Sequence, residues 1–129
     1  MPEEKTPAQP VIPLRRSEDF SSVYADNVAF ESSVWGLKVF LGELDQGAGG
    51  GTPGVEFHTA VSIPWMAAKL FIYWLRLNLA FYEINNGKIN IAERLLPPKP
   101  LAPDNPEDPV NAASYAVAKK LHDEFMADL

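Results

Sequence analysis

The two histidines, His58 and His122, are the side chains of this sequence best suited to proton transfer or to binding a metal ion. They belong to different predicted elements, and His58 has only Glu56 beside it, on the same face of a predicted strand. Catalytic and metal sites need further groups at defined spacing, as in H-E-x-x-H or G-x-S-x-G, and neither motif occurs. We therefore predict no catalytic residue, no metal and no cofactor. Because active sites also assemble from residues distant in sequence, an enzyme of unknown type stays open as an alternative.

A glycine-rich run from Gln46 to Gly54 has the composition of a phosphate-binding loop. A P-loop also requires a Lys-Ser/Thr pair followed by a helix, whereas here the pattern of a strand follows. The run therefore predicts a flexible hairpin loop that is easily cleaved by proteases.

Asn78 is the polar side chain that stands out on the apolar side of a predicted helix. It lies about 180° around that helix from the charged edge formed by Lys69, Arg76 and Glu83. A buried carboxamide without a partner costs about 1–3 kcal/mol, so Asn78 should be hydrogen-bonded. The partner is either the backbone of a strand end or loop in the same chain, or a polar group across a symmetric interface whose register it fixes.

The composition is that of one globular domain, with 47% hydrophobic and 22% charged residues in 129 residues. The absence of cysteine excludes disulfides, thiolate catalysis and zinc sites of the cysteine type. The net charge is -6 and no dense Lys/Arg cluster occurs, so nucleic-acid binding is not expected. The first 13 residues carry two glutamates and four prolines instead of a basic start and an apolar run, so we expect no signal peptide and a cytoplasmic location.

Three segments alternate between apolar and polar residues as strands do. They are the region of Tyr24, Val28 and Phe30, the segment 34–44 and the segment 55–63. In the third segment we expect one face to hold Val55, Phe57, Thr59, Val61 and Ile63, and the other to hold Glu56, His58, Ala60 and Ser62. Ile89 and Ile91 could add a short fourth strand or form an extended arm.

The segment from Pro64 to Asn86 predicts a long helix that ends at Gly87. It is apolar around far more of its circumference than the roughly 100° stripe that a small monomer needs, which indicates self-association. The charges at Lys69, Arg76 and Glu83 argue against a membrane span. The candidate interface residues on this helix are Leu70, Trp74, Leu77, Asn78 and Phe81.

The ends of the chain differ from its centre. Residues 1–16 are rich in proline and predict a disordered tail, residues 17–96 the core domain, and residues 97–109 a proline-rich linker. Asp108 and Pro109 are good start signals for a helix over residues 110–129. Its apolar stripe provides the further candidate interface residues Val117, Leu121 and Phe125. The linker can span about 40 Å, enough to carry this helix to a neighbouring subunit.

Short motifs within residues 17–90 resemble a family of small bacterial proteins catalogued as a domain of unknown function. The motifs are Val23 to Val28, Leu37 to Gly42, Val61 to Pro64, Ala68 to Leu70, and Asn78 with Tyr82 and Glu83. The family commonly has an acidic residue where this chain has Gly36, so any role of that acid is absent here. The order of three strands and a long helix also resembles the SecB-type export chaperones, at the level of fold only.

Together these patterns predict an α+β fold, in which an antiparallel sheet of three or four strands is packed by one long helix. A C-terminal amphipathic helix follows on the proline-rich linker. The predicted function is that of a non-catalytic, homo-oligomeric interaction module, a dimer or higher oligomer. The alternatives are a chaperone-like binder of extended polypeptide and an enzyme of unknown type.

Overall fold

A computed structural model of the chain describes residues 11–47 and 50–129. The residues it describes form two units, which divide between Ala68 and Lys69. Residues 1–10 of the predicted tail, and Ala48 and Gly49 of the predicted hairpin loop, lie outside the described residues. Residues 11–16 are exposed and form no regular element.

The first unit holds a three-stranded antiparallel sheet with the strand order β1-β2-β3. Its strands are β1, Asn27–Ser32, β2, Leu37–Asp45, and β3, Gly54–Ile63. With the two long helices, this sheet confirms the α+β class and the presence of three strands. The first two strands begin later than predicted: Tyr24 precedes β1, and Val34 and Trp35 lie in the loop before β2. A fourth strand does not form: within the described residues no strand follows β3, and residues 88–91 are irregular.

A β-bulge divides the β2–β3 pair. Leu41 pairs with Thr59, but the next residue, Gly42, pairs with Phe57, so that His58 is the extra residue of β3. On the C-terminal side of His58 strand alternation is regular, and Thr59, Val61 and Ile63 share a face with the odd-numbered residues of β2.

The bulge corrects the predicted face of Phe57. On the N-terminal side of His58, Phe57 is opposite Gly42, which belongs to the same side of β2 as Phe40. The rings of Phe40 and Phe57 accordingly pack against each other with centroids 5.9 Å apart. Phe57 and, by the same shift, Val55 therefore leave the face of Thr59, because one extra residue reverses the side to which the following side chains point.

The long helix α1 comprises Trp65–Asn86, close to the predicted Pro64 to Asn86. Its first backbone bond runs from Ala68 N to Pro64 O, so the proline stands where its missing N–H costs nothing. The helix ends at Gly87, whose φ of 84° is the left-handed conformation that glycine tolerates. Gly87 N donates to Glu83 O at 2.9 Å, which satisfies a terminal carbonyl.

The second unit contains most of α1, a single 3-10 turn at Glu93–Leu95, and the helix α2, Pro109–Ala127. Asp108 caps α2 by accepting a hydrogen bond from Val110 N at 2.9 Å, and Pro109 is in the first turn. The predicted start of this helix is therefore confirmed. Residues 97–108 form neither helix nor strand.

Burial is sparse in both units. Among the described residues, Ala68 is the only buried hydrophobic residue, at 6% exposure, and no large side chain is fully buried. The predicted packing of α1 on the sheet, and the predicted domain boundaries, stay predictions.

Candidate functional site

The helix stripe is the set of side chains on α1 formed by Leu70, Trp74, Leu77 and Phe81. They recur at i, i+4, i+7 and i+11, which places them within about 60° of one another around the helix. Leu70, Trp74 and Phe81 are 57%, 56% and 56% exposed, and Leu77 is half-buried. The rings of Trp74 and Tyr73 pack edge to face with centroids 5.0 Å apart, a favourable aromatic geometry. The stripe is a continuous apolar surface.

Exposed apolar side chains occur on every side of α1. Within residues 69–86 the other exposed large hydrophobic side chains are Phe71, Ile72, Tyr73, Leu75, Leu79, Tyr82 and Ile84. Charged residues interrupt the helix, and within residues 11–47 and 50–129 no helix has the length and hydropathy that crossing a bilayer requires.

Asn78 is exposed, and its Nδ2 donates to the carbonyl of Trp74 at 2.7 Å, one turn earlier in the same helix. The donor is thus satisfied without a strand or loop, and neither of the two partners expected from the sequence is needed for it. Asn85 and Asn86 make the same type of bond to Phe81 and Tyr82. This local bonding keeps the carboxamides near the helix backbone.

The C-terminal stripe is Val117, Leu121 and Phe125 on α2, spaced at i, i+4 and i+8. Their exposed fractions are 58%, 59% and 40%, so this stripe too lacks a cover. Two polar contacts join the C-terminal part of α2 and its end to the segment between α1 and α2. Lys88 Nζ donates to Asp128 O at 2.8 Å, and His122 Nε2 lies 3.2 Å from Pro97 O. Neither contact involves a residue of the C-terminal stripe.

The sheet face is a third apolar surface, in the first unit. By register its members lie on one side of the sheet: Val28, Phe30, Leu37, Val39, Leu41, Val61 and Ile63. Val28 and Phe30 on β1 are 57% and 62% exposed, and Val61 on β3 is 44% exposed. None of these residues was a candidate from the sequence, although the alternation pattern itself carried the signal.

The loop between β1 and β2 presents Val34 and Trp35, each 87% exposed. Ser33 holds this loop: its hydroxyl accepts from Trp35 N and Gly36 N, and its carbonyl accepts from Trp65 Nε1 at 2.9 Å. Gly36 is required here because a Cβ would collide with the carbonyl oxygen of Ile63.

The His58 side chain makes two polar contacts within the first unit. Its Nε2 lies 2.8 Å from Tyr24 O and its Nδ1 lies 2.8 Å from Thr59 Oγ1, so both ring nitrogens are engaged. Tyr24 precedes β1 and His58 is in β3, so this contact joins the segment before one edge strand to the other edge strand. His122 is placed with Pro97 in the other unit. In the part of the chain that the structure describes, no three His, Asp or Glu side chains converge on a possible metal site.

Asp26 extends the pairing between β1 and β2 by one residue before the start of β1. Its backbone N donates to Gly42 O at 3.0 Å, and its Oδ1 accepts from Leu44 N at 3.1 Å and from Asn27 Nδ2 at 2.8 Å. The hydrogen bond from Asn27 is the largest cause and lowers the pKa of Asp26; desolvation opposes it, and the hydrogen bond from Leu44 N lowers the pKa further. The carboxylate thus acts in the sheet as an anionic acceptor.

The three apolar surfaces lie on described elements, whereas His58, His122 and Asp26 lie apart from one another and each contacts other groups of the chain. Comparison with models of protein families found no match, and comparisons with curated proteins and with solved structures found none either.

Proposed function

We propose that this chain is a non-catalytic interaction module that assembles into a homodimer or higher homo-oligomer. The observation that carries the proposal is the exposure of the helix stripe in a chain whose only buried hydrophobic residue, among those described, is Ala68. The helix stripe and the C-terminal stripe are its proposed contact surfaces. Absence of nucleic-acid binding, a cytoplasmic location and kinship with the small bacterial family remain predictions.

The magnitude of the exposed area supports association. A half-exposed large apolar side chain presents roughly 100 Å², so ten of them within residues 69–86 present about 1,000 Å². The largest apolar patch of a monomer is about 300–600 Å², and a stable interface buries about 800 Å² per partner. Burying only the helix stripe of two copies removes about 800 Å² in total, about half of what a stable interface buries, so the neighbouring exposed side chains of α1 must share the contact.

A two-fold contact suits this surface because the same residues supply both sides. Four side chains of α1 at regular spacing can interdigitate with the same four from a second copy, as helices in bundles do. The charged edge with Lys69 and Arg76 lies elsewhere on the helix and stays in water. The contact needs only a second copy of this chain, not a different protein or a ligand.

Sedimentation velocity tests the proposal. We expect the wild-type chain at micromolar concentration to sediment at a multiple of its 14.2 kDa mass. Trp74→Glu, which places a charge in the helix stripe, should dissociate the assembly or make it insoluble. The matched control Ala80→Glu adds the same charge on the charged edge and should leave the mass unchanged. A stable monomer of the wild-type chain would contradict the proposal.

A chaperone-like binder of extended polypeptide is the second candidate, and the exposed sheet face favours it. If this face stays open in the assembled oligomer, the oligomer should slow the aggregation of an unfolded client protein. A substitution on the sheet face, Phe30→Ser, should then abolish that activity without changing the oligomeric mass. An oligomer that neither binds an apolar dye nor slows aggregation would leave only the first function.

A further inference from the structure

The two edges of the sheet differ in length and charge. The edge strand β3 has ten residues, and its seven residues from Phe57 to Ile63 include no Asp, Glu, Lys or Arg. The opposite edge strand β1 has six residues, contains Glu31, and follows Asp26. Native proteins protect exposed edges with short strands and charged side chains, and only β1 shows both features.

The outer edge of β3 has no hydrogen-bond partner in the described part of the chain. Its backbone bonds lie within the β2–β3 pair, and no other backbone or side-chain group bonds to its main chain. In an antiparallel strand about half of the N–H and C=O groups point away from the single neighbour. Such a row of unpaired groups is a template for a further strand.

We propose that the β3 strands of two copies pair antiparallel about a two-fold axis, joining their sheets into one sheet of six strands. This inference rests on the proposed self-association and names the interface that the first unit contributes to it. The occupant of the β3 edge is therefore a second copy of this chain.

The sequence of β3 suits pairing with itself. Beyond the bulge at His58 the regular run is Thr59–Ile63, whose centre is Val61, so Thr59 pairs with Ile63 of the second copy and Val61 with itself. Thr59, Val61 and Ile63 are all β-branched and share one face, which favours cross-strand packing. The only charged residue of β3, Glu56, lies five residues from the centre, so the two carboxylates are about 33 Å apart.

The pairing also has a consequence for the sheet face. Since the paired residues keep the same side, the exposed apolar residues of both copies lie on one continuous surface of the six-stranded sheet. That surface is twice as wide as either copy offers.

The absence of cysteine allows single-cysteine variants to test this arrangement. Ala29 on β1 and Ala60 on β3 both pair with Phe40, so they occupy one row of the sheet on its two opposite edges. Strand spacing of about 4.8 Å predicts Cα separations between copies of about 8 Å for residue 60 and about 25 Å for residue 29. We would attach nitroxide labels to Ala60→Cys and to Ala29→Cys and measure the dipolar coupling between labels in the full-length oligomer.

We expect strong short-range broadening for residue 60, and a resolved longer distance for residue 29. Similar distances at both positions, or a shorter one at residue 29, would overturn the pairing. A wild-type monomer by sedimentation would overturn both this inference and the proposed function, whereas an oligomer without broadening at residue 60 would overturn this inference alone.

The dissociation constants of two lysine variants provide the second measurement. Ala60→Lys brings two ammonium groups together at the proposed interface and should weaken dimerisation by at least ten-fold, because like charges on neighbouring strands repel. Ala29→Lys is the matched control at the other edge and should leave dimerisation unchanged. Equal dissociation constants for the two variants would overturn the pairing.

Discussion

Gly42 stands at the point where β2 meets the bulge of β3. A Cβ at this position would collide with the carbonyl oxygen of Glu56 and lie 2.8 Å from the Cα of Phe57, both of them backbone atoms. Glycine in a strand interior often marks such a close approach of two backbones. The bulge, and with it the face on which Phe57 lies, therefore requires glycine at residue 42.

We expect Gly42→Ala to lower the free energy of unfolding by about 1–3 kcal/mol, because the backbone must shift to admit the methyl group. The control Gly54→Ala meets no atom within 4 Å and should be neutral or slightly stabilising. Urea denaturation at one fixed protein concentration would measure both, since association makes stability concentration-dependent. Equal stability of the two variants would contradict the close approach.

The lowered pKa of Asp26 makes the stability of the folded state depend on pH, and the direction of the shift gives the sign. Its pKa is below the ordinary value of 3.8, so the carboxylate stabilises the folded state above the unfolded pKa. That contribution is lost as the pH falls through the lowered pKa of the folded state.

We expect an NMR titration of the Asp26 carboxyl carbon to give a midpoint below the ordinary value. Asn27→Ala removes the hydrogen bond that lowers the pKa most and should raise the midpoint. Ser32→Ala, at the far end of the same strand, should leave it unchanged. A midpoint that Asn27→Ala does not move would assign the shift to another cause.

At the scale of elements, the bulge decides which side chains of β3 act together. The regular end, Thr59–Ile63, contributes to the sheet face, and the end before the bulge contributes Phe57 to the opposite side. The tilted packing of Phe57 on Phe40, at 60° between the ring planes, is the direct sign of this division.

A double-mutant cycle of Phe40→Ala and Phe57→Ala should give a coupling energy of about 0.5–1.5 kcal/mol, as expected for an aromatic pair. The matched cycle of Phe30→Ala and Phe57→Ala joins residues on opposite faces of the sheet and should be additive. If the second cycle shows the larger coupling, Phe57 lies on the face that strand alternation alone predicts.

At the scale of the whole molecule, the described residues do not supply a closed hydrophobic interior. Apolar side chains remain exposed on the sheet, along α1 and along α2, and burial of apolar surface is the dominant favourable term in folding. The proposed association of copies would remove part of this surface from water.

The C-terminal stripe makes this testable in the full chain. We expect Leu121→Ser with Phe125→Ser to weaken association by about 100-fold, the equivalent of about 3 kcal/mol for two apolar side chains that lose a buried contact. The control Lys119→Ser with Lys120→Ser changes two residues away from the stripe and should leave the dissociation constant unchanged. Sedimentation equilibrium measures the constants, and circular dichroism checks that α2 still forms.

If the serine variant associates as tightly as the wild-type chain, the C-terminal stripe takes no part in the interface. The helix stripe and the β3 edge would then have to account for the association by themselves.

The sequence alone determined the elements, because their signals are local. Alternation located the three strands, the apolar run and Gly87 bounded α1, and Asp108 with Pro109 marked the start of α2. The candidate stripes on α1 and α2 followed from helical spacing, and the structure shows that most of their side chains are exposed.

Only the tertiary structure decided what depends on residues distant in sequence. The extra residue at His58 is visible only when β3 is placed against β2, because a bulge is a property of two strands and not of one. The contacts of Asp26 with Leu44 and of His58 with Tyr24 also join distant segments. Likewise, helical spacing could group Leu70, Trp74 and Phe81, but whether another part of the chain covers them depends on packing, which spacing does not encode.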